Sequence, residues 1–531
     1  MQTQRIKKWV FRSVGVVLVL IMLAVLALSL LINRTMDLVY GGQTSVVDHN
    51  LFQVQAQPVA ITGVSLLSPD GTEMLADRTV LIENGHIASV DHRGSVPEGI
   101  ATIDGRGKHL IPGLTDSHVH LQRSANDLLL YVANGVTQIR SMGGSDFDLE
   151  LKREIEGGRI GPHYYVSSAS MNSADGFGSA ADTFPSWIPD SVAIWMAENM
   201  YRIHISLSAA ESAEDAKSFI ESGYDGIKLY GFLTAESYRA ILDAADELGV
   251  PTAGHIPDDI PLSELESIEL GEIAHIEEIV KKLQGEFESG LFPFEGDFLE
   301  YVESRKDKIA ADLASNDIAV HSTLWLAESF QRQVYDLEKK LAEIELEYAN
   351  PGIVEGVPAS ASGSVFGGWL PERNKFQTYA GNTPEDIESS KNYWRTFEDA
   401  HRTLAKAMID SGVTILAATD ATAWLVIAGF SLHDELETLT NAGMTPAQAL
   451  YSTTAAPAQI INNNAGVIDV GYRADLVLLN QNPLEHIANT RSIDTVILNG
   501  KVLDRAMLDG MLEAVRVANE SSRTMDISLY Q

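Results

Sequence analysis

Two histidines one residue apart, His118 and His120, lie near the end of the short run HLIPGLTDSHVHL. Side chains alternate between the two faces of a β-strand, so both imidazoles would project to one side while Val119 points to the other. Two imidazoles in this arrangement can bind one metal ion. A His-x-His pair is a weak signal when it stands alone, so its meaning depends on further ligands downstream.

Four further residues of ligand type follow on predicted strands. Lys228 lies within the apolar run DGIKLYG, where a lysine is costly unless it has a partner or is modified. His255 ends the run PTAGH, His275 ends EIAH, and Asp420 closes ILAATD. The candidate ligands are therefore, in chain order, His118, His120, Lys228, His255, His275 and Asp420.

Apolar strands alternate with helical stretches through the middle of the chain, a pattern that predicts a parallel β/α fold. Eight strands indicate a closed barrel, in which catalytic groups gather at the carboxyl ends of the strands. The connection from the sixth candidate strand to the eighth, residues 281–413, is oversized. Loops of that length usually form lids or substrate walls, and a solvated helical elaboration is the alternative. The candidate strands are Leu110 to His118, Val136 to Ser141, His163 to Ser168, Gly226 to Tyr230, Thr252 to Ile256, Glu272 to Ile276, Ala319 to Leu324 and Thr414 to Thr419.

Short β-branched runs separated by Asp70-Gly71 and Asn84-Gly85 precede the barrel, and similar runs follow it. Chain ends often meet, so the two flanks are expected to form one small β-sandwich. The predicted fold class is α/β: a (β/α)8 TIM barrel with this sandwich and an N-terminal transmembrane helix. The predicted boundaries are 1–33 for a cytoplasmic tail and transmembrane anchor, 34–57 for a linker, 58–109 and 465–508 for the two parts of the sandwich, 110–464 for the barrel and 509–531 for a C-terminal tail.

The segment from Val14 to Ile32 is almost entirely aliphatic and is long enough to cross a bilayer as a helix. Four basic residues lie just before it, within residues 5–12, whereas only Arg34 follows it closely. This bias predicts a cytoplasmic tail and a membrane-anchored catalytic domain outside the cytoplasm, in the periplasm. A cleaved signal peptide, which would give a secreted protein, is the alternative.

The charge of the chain limits its partners. The 531 residues include 73 acidic and 38 basic side chains, for a formal net charge of −35. Such a surface repels phosphate backbones, so no nucleic-acid partner is expected. The absence of cysteine removes disulfides and thiolate ligands. A small-molecule substrate is the expected partner besides the membrane, and the oligomeric state stays open.

Seven motifs of this sequence resemble those of the amidohydrolase superfamily over residues 58–508, and more narrowly its imidazolonepropionase-like branch, which includes Xaa-Pro dipeptidases. The motifs are PGLTDSHVHL, DGIKLYG, PTAGHI, EIAHIEE, ATDA, GMTPAQALYSTTAAPAQI and GVIDVGYRADLVLLNQNP. Matched position by position, the resemblance implies one divalent metal held by His118, His120 and Asp420. It implies a second metal held by His255 and His275, with a carbamylated Lys228 bridging the two.

The mechanism that this resemblance implies is metal-assisted hydrolysis. The ions, zinc by default, would activate a water molecule and polarise the scissile carbonyl. Asp420 would accept the proton of that water as general base and then pass it to the leaving nitrogen as general acid.

Four other polar residues lie on or near the predicted strands. Tyr230 faces the same side as Lys228 and could donate a hydrogen bond to the carbonyl or to a substrate carboxylate, or it could pack in the core. His433 is a candidate for a substrate contact or for the support of a metal-site carboxylate. His321 could line the pocket and Arg140 could bind an anionic substrate group, but a buried core histidine and a structural salt bridge are the expected roles.

The expected activity is cleavage of an amide or peptide C–N bond in a small substrate such as a dipeptide or an N-acyl amino acid. A mononuclear cyclic-amide hydrolase of the imidazolonepropionase type, with Lys228 unmodified, is the first alternative. A lactonase or esterase is another, because the same hydroxide attacks either carbonyl. From a different class, the chain could be a catalytically silent binding module tethered to the membrane, but the complete set of candidate ligands argues against it.

Overall fold

The computed structural model describes residues 26–177, 188–267, 270–290, 294–357 and 367–530, together with residues 16 and 23. Its strands form three sheets, of eight, seven and three strands. In chain order they are β1 (Val59–Leu67), β2 (Met74–Glu83), β3 (His86–His92), β4 (Ala101–Asp104), β5 (His109–Pro112), β6 (Leu114–Val119), β7 (Val136–Ser141), β8 (His163–Val166), β9 (Ser170–Ser173), β10 (Ile203–Ser206), β11 (Ile227–Leu229), β12 (Thr252–Gly254), β13 (Glu272–Ile273), β14 (Ala319–His321), β15 (Ile415–Leu416), β16 (Leu476–Leu479), β17 (Ile493–Leu498) and β18 (Lys501–Asp504).

Helices connect most of these strands. The α-helices with described bounds are Asp127–Ala133, Asp146–Glu156, Ala174–Phe177, Asp190–Tyr201, Ala209–Glu221, Ala235–Leu248, Ile276–Ser289, Phe298–Ser315, Leu324–Tyr335, Leu337–Leu341, Pro351–Glu355, Pro384–Asp410, Phe430–Asn441, Pro446–Thr453, Ala455–Ile460 and Arg505–Ser522. Short 3-10 helices span His49–Phe52, Leu262–Ser267, Leu346–Tyr348, Lys375–Tyr379, Ile487–Arg491 and Ser528–Tyr530.

The predicted N-terminal transmembrane helix requires correction. Much of the predicted span, residues 14–32, lies outside the described residues. Among the residues that are described, no helix is both long enough and apolar enough to cross a membrane. Residues 26–39 are helical, but this stretch includes the charged Arg34 and Asp37 and buries Met36 and Val39. These observations contradict the predicted anchor and the membrane-anchored, extracytoplasmic location.

The strands predicted to close a barrel form two open parallel sheets instead. One sheet contains β6, β7 and β8, and the other has the order β10-β9-β11-β12-β13-β14-β15. The two sheets are joined by isolated bridges, Ser167 to Gly226 and Val119 to Ala421. Because β13 and β15 have only two residues each and β6 shifts register twice against β7, a continuous ladder does not form. The prediction of a closed eight-stranded barrel is therefore wrong.

Strands from both ends of the chain meet in the eight-stranded sheet. Its order is β18-β17-β16-β5-β1-β2-β3, and β4 pairs with β1. The C-terminal strand β16 pairs antiparallel with β5, which places Val477 opposite Ile111. One face of this sheet buries an aliphatic cluster that includes Val64, Leu66 and Leu476. Burial of that cluster holds the two flanking segments together.

Gly113 separates β5 from β6, so the run predicted as one strand contributes to two sheets. The Gly113 amide donates to the Asp475 carbonyl in the eight-stranded sheet at 2.8 Å. A Cβ atom at this position would lie 2.0 Å from the Thr137 Oγ1 atom. Only glycine fits this crossing, which aims β6 and its histidines into the second layer.

A long connection between β14 and β15 covers the carboxyl ends of the parallel strands. Its main helix, Pro384–Asp410, begins with a capping box in which Thr383 and Asp386 satisfy each other's backbone amides. Phe397, Ala400 and Leu404 are buried on one face of this helix, at the spacing of an amphipathic helix. The described parts of the connection, residues 322–357 and 367–414, therefore pack as an ordered wall.

Replacing Gly113 with alanine should lower the free energy of unfolding by about 1–3 kcal/mol, because the added methyl group forces Thr137 and β7 to move. Urea denaturation followed by circular dichroism measures this loss. Gly285→Ala is the matched control, because Gly285 lies in a helix with no atom near the position of its Cβ. That change should be neutral or stabilising by up to about 1 kcal/mol, and an equal loss in both variants would contradict the steric account.

Candidate active site

His118, His120 and Asp420 meet where β6 ends and the segment after β15 passes beside it. The His120 Nε2 atom lies 3.3 Å from His118 Nε2 and 3.2 Å from Asp420 Oδ1. The Asp420 amide donates to the His118 carbonyl at 2.8 Å, which fixes the two segments side by side. The ligand atoms of the three residues all lie within 4.8 Å of one another. This group could hold one metal ion.

His255 and His275 lie on the other side of His118. The ring centroids of His118 and His275 are 4.4 Å apart, and those of His255 and His275 are 5.3 Å apart. His275 Nδ1 hydrogen-bonds Thr323 Oγ1 at 3.1 Å, and His255 Nδ1 lies 3.1 Å from Glu278 Oε1. Because each Nδ1 atom is engaged, Nε2 is the nitrogen that each ring can offer to a metal.

Lys228 is buried among these side chains, with 1% of its surface exposed. Within the described residues, its Nζ atom has no hydrogen-bond partner. Burial lowers the pKa of Lys228 to about 8, so a minor fraction of it is the neutral amine at neutral pH. A neutral amine is the form that adds to carbon dioxide and loses a proton to give a carbamate. The environment of this unpaired lysine therefore suits its carbamate, as an anionic bridge between two cations, better than its ammonium form.

The charge states of the other groups also suit a cation. Burial lowers the pKa of His118 and His275 well below the ordinary histidine value, so both rings are neutral, the form that binds metals. Burial alone would raise the pKa of Asp420, but the hydrogen bond from His120 is the strongest of the interactions that lower it to about 2. Neutral imidazoles, an ionised carboxylate and an unpaired lysine fit a divalent metal centre.

Two of the candidate ligands have an unusual backbone conformation. Asp420 and His275 have positive φ angles of 61° and 82°, in a region that side chains other than glycine rarely occupy. Such strain persists only where surrounding contacts over-determine it, and it clusters at functional sites. The fold thus holds these two side chains in directions that a relaxed backbone would not give.

A series of hydrogen bonds between buried side chains leads from Arg140 to His118. Arg140 donates to both carboxylate oxygens of Glu272, at 2.6 and 2.7 Å. Glu272 Oε2 lies 2.9 Å from His321 Nε2, and His321 Nδ1 lies 2.9 Å from His118 Nδ1. Arg140, Glu272, His321 and His118 are each no more than 1% exposed.

This line dictates which nitrogen of His118 carries the proton. The ionised Glu272 accepts from His321 Nε2–H, so the neutral His321 ring must accept at Nδ1. His118 then donates through Nδ1–H, and the lone pair of its Nε2 faces His120 and Asp420. Sequence motifs did not identify Glu272 or His321 as functional. The only local signal was a charged residue and a histidine inside short apolar strands.

Tyr230 reaches the candidate site, whereas His433 does not. The Tyr230 ring stacks beside His255 with centroids 4.3 Å apart, and burial raises the pKa of its hydroxyl, so it remains a hydrogen-bond donor. His433 is fully buried elsewhere, with Nδ1 bonded to Thr490 Oγ1 at 2.8 Å and Nε2 to the Asn134 carbonyl at 3.1 Å. With both nitrogens engaged, His433 has none left for a substrate or a metal ligand.

A cavity of about 1340 Å³ opens over these residues. Its floor includes His120, Lys228, Tyr230, His255, His275 and Asp420. Its walls are rich in aromatic side chains, among them Phe177, Phe232, Phe330, Phe376, Trp394 and Trp424. Several of these come from the connection between β14 and β15. A small organic molecule could therefore bind with one bond beside the metal ligands and an apolar group against the wall.

Comparison with known proteins agrees with this architecture. A family profile described as "Amidohydrolase family" matches residues 109–503. A curated relative, 5'-deoxyadenosine deaminase of Methanothermobacter thermautotrophicus, is 24% identical over 483 residues, covering 86% of this chain and 95% of the relative. The family match confirms the superfamily that the motifs predicted.

Two solved structures illustrate the likeness of fold. Bottromycin amidohydrolase aligns with a TM-score of 0.63 and 19% identity, over 87% of this chain and 91% of that chain. A putative prolidase from Bifidobacterium longum aligns with a TM-score of 0.57 and 20% identity, over 87% of this chain and 99% of that chain. At this level of identity the likeness is one of fold alone.

His321→Leu should weaken zinc binding by about 10- to 100-fold, because His118 loses the acceptor that orients its ring. The pair of Arg140 and Glu272 stays intact in this variant, so the fold should survive. Titration of the apoprotein with zinc against a competing chelator measures the affinity. His401→Leu is the control: His401 is also fully buried and hydrogen-bonded, to the Phe397 carbonyl, but it does not line the cavity. Equal zinc affinity in wild type and His321→Leu would contradict the orienting role.

Proposed function

Because the chain belongs to the amidohydrolase family and is a hydrolase of carbon–nitrogen bonds, we propose that it cleaves an amide bond in a dipeptide or an N-acyl amino acid. The observation that carries this proposal is that three histidines, Asp420 and the unpaired Lys228 line the floor of one cavity. The ring of the fourth histidine, His118, lies 4.4 Å from that of His275. Such a set is suited to water activation beside a small bound molecule.

The proposed centre holds two divalent ions, with zinc as the default for imidazole and carboxylate ligands. His118, His120 and Asp420 would hold one ion, His255 and His275 the other, and a carbamate on Lys228 would join them. When bound, these ions lower the pKa of a water molecule and polarise the scissile carbonyl. Neutral His118 and His275 are ready to serve as ligands without losing a proton.

Asp420 is the proposed proton carrier. It is ionised at neutral pH and lies against His120 at the edge of the cavity, so it can accept the proton that the attacking water loses. It then returns that proton to the departing nitrogen, which leaves poorly as an anion. Tyr230, whose ring lies beside His255, would donate a hydrogen bond to the carbonyl oxygen as negative charge develops there.

Hydrolysis assays on the zinc-loaded full chain test this proposal. The panel comprises N-acetyl amino acids, Xaa-Pro and other dipeptides, a γ-lactone and 5'-deoxyadenosine. 5'-Deoxyadenosine is included in the panel because the curated relative is named as its deaminase. Release of free amino acids from the first two groups supports the proposal. Activity confined to the lactone or to 5'-deoxyadenosine, or no activity on any member, contradicts it.

Asp420→Asn should reduce kcat by about 100- to 10,000-fold, because asparagine cannot carry the proton. The amide oxygen still offers one ligand atom, so much of the metal should remain bound, as elemental analysis would show. Asp215→Asn is the control, since Asp215 also contacts a histidine, His204 at 2.8 Å, but lies outside the cavity. Near-normal turnover by Asp420→Asn would rule out its role as proton carrier.

Lys228→Ala should lose the bridging ligand and bind fewer ions per chain than wild type. A short carboxylic acid such as propionate should restore part of the metal content and activity, because it can occupy the space of the carbamate. Lys228→Met is the control, because its side chain fills that space and should block the rescue. One ion per chain in both wild type and unrescued Lys228→Ala, with activity retained, would instead favour the mononuclear alternative with an unmodified lysine.

A further inference from the structure

A second lysine in the cavity, Lys375, has an unusual environment. It begins the 3-10 helix Lys375–Tyr379 in the connection between β14 and β15, and it lines the same cavity as the candidate ligands. Its Nζ atom lies 3.8 Å from the centroid of the Trp424 ring and 5.2 Å from that of Phe376. Cation–π contacts of this kind hold an ammonium in place without neutralising its charge.

Lys375 has no ion-pair partner in the part of the chain that the structure describes. Lys281, which lines the same cavity, differs: its Nζ lies 2.9 Å from Glu277 Oε1 and 3.4 Å from Glu278 Oε1. Glu277 and Lys281 act on Lys375 only as more distant charges of opposite sign. Burial lowers the pKa of Lys375 to about 8, so it is still mostly protonated at neutral pH. Its positive charge is therefore available to an anion in the cavity.

The position of Trp424 connects this cation to the reaction centre. Trp424 lies four residues beyond Asp420, and the Ala423 amide donates to the Asp420 carbonyl at 2.7 Å in the tight turn between them. The turn that presents the proposed proton carrier therefore also presents the ring under Lys375. Because Lys375 and the candidate ligands line one cavity, a single small molecule can contact both.

Phe376, the residue after Lys375, belongs to a cluster of aromatic rings. Phe376 and Phe330 are stacked with centroids 4.7 Å apart, and Phe376 also packs against Trp394 at 5.8 Å and Trp424 at 5.6 Å. These rings line the cavity next to the ammonium. A molecule that places an anion on Lys375 would therefore bring a large apolar or aromatic side chain against them.

We propose that Lys375, held against Trp424, binds the α-carboxylate of the substrate, and that the adjoining rings select a large apolar side chain on the same amino acid. This inference rests on the proposed function and narrows its substrate class to N-acyl derivatives of large apolar amino acids. Lys375 is thus a specificity-determining residue supplied by the connection rather than by the strands.

Two probes that differ only in the carboxylate test the inference. N-acetyl-L-phenylalanine carries it, and N-acetyl-2-phenylethylamine lacks it while keeping the amide bond and the ring. In Lys375→Met, KM for N-acetyl-L-phenylalanine should rise about 10- to 100-fold, because the substrate loses one charge-assisted hydrogen bond. The kcat for that substrate and both constants for the uncharged probe should change little.

Lys340→Met is the matched control for the loss of a cation–π contact. Lys340 Nζ lies 4.4 Å from the Trp325 ring centroid, and neither residue lines the cavity. This variant should retain the wild-type preference for N-acetyl-L-phenylalanine. If Lys340→Met and Lys375→Met lose that preference equally, or if neither loses it, the carboxylate subsite is overturned.

Calorimetric titration separates failure of the subsite from failure of the proposed function. If wild type hydrolyses neither probe, the amidase proposal fails for this substrate class, but binding can still be compared. Tighter binding of N-acetyl-L-phenylalanine than of the uncharged probe, lost in Lys375→Met, would support the subsite by itself. Equal binding of the two probes to wild type, or no binding of either, would overturn it even if the enzyme proves to be an amidase.

Discussion

The candidate metal centre depends on a buried ion pair, that of Arg140 with Glu272. Removing the two charges from water is costly, but two short hydrogen bonds join them. Glu272 also accepts a hydrogen bond from His321. Arg140 lies on β7, Glu272 on β13, His321 on β14 and His118 on β6. One line of polar contacts thus connects four strands and ends at His118, a candidate metal ligand. The same contacts that orient the ligand also bridge the two open parallel sheets.

The eight-stranded sheet contributes to the site through Gly113 and Asp475. The Asp475 carbonyl receives the Gly113 amide, and its carboxylate contacts His163 at 3.1 Å and the Asn499 amide at 2.7 Å. These bonds connect the C-terminal segment with the start of β6 and of β8. Because β6 carries His118 and leads to His120, the direction of that strand matters to the metal centre. The flanking sheet is therefore part of what positions the ligands, although none of its residues lies in the cavity.

The proposed reaction and the proposed substrate recognition use different parts of the chain. The parallel strands supply groups suited to activating water, and these groups are tightly enclosed by buried neighbours. The connection between β14 and β15 supplies Lys375 and an aromatic wall, which suit recognition of the rest of the molecule. Such a division allows substrate choice to change by variation in the connection while the reaction centre is retained. The hydrolytic class is accordingly better defined by this structure than the identity of the acyl group.

The sequence by itself determined the chemical class, because the motifs around the candidate ligands are contiguous and spacing along a strand decides which residues share a face. It could not determine contacts between distant segments. His433 follows Asp420 closely in sequence, yet its nitrogens bind Thr490 and Asn134, 57 and 299 residues away. Local patterns predicted a closed barrel and a membrane helix, but closure depends on strand length and register, and the described residues contain no membrane-spanning helix. Only the tertiary structure placed His321 behind His118 and Lys375 over Trp424, because packing, not local spacing, decides which side chains meet across the chain.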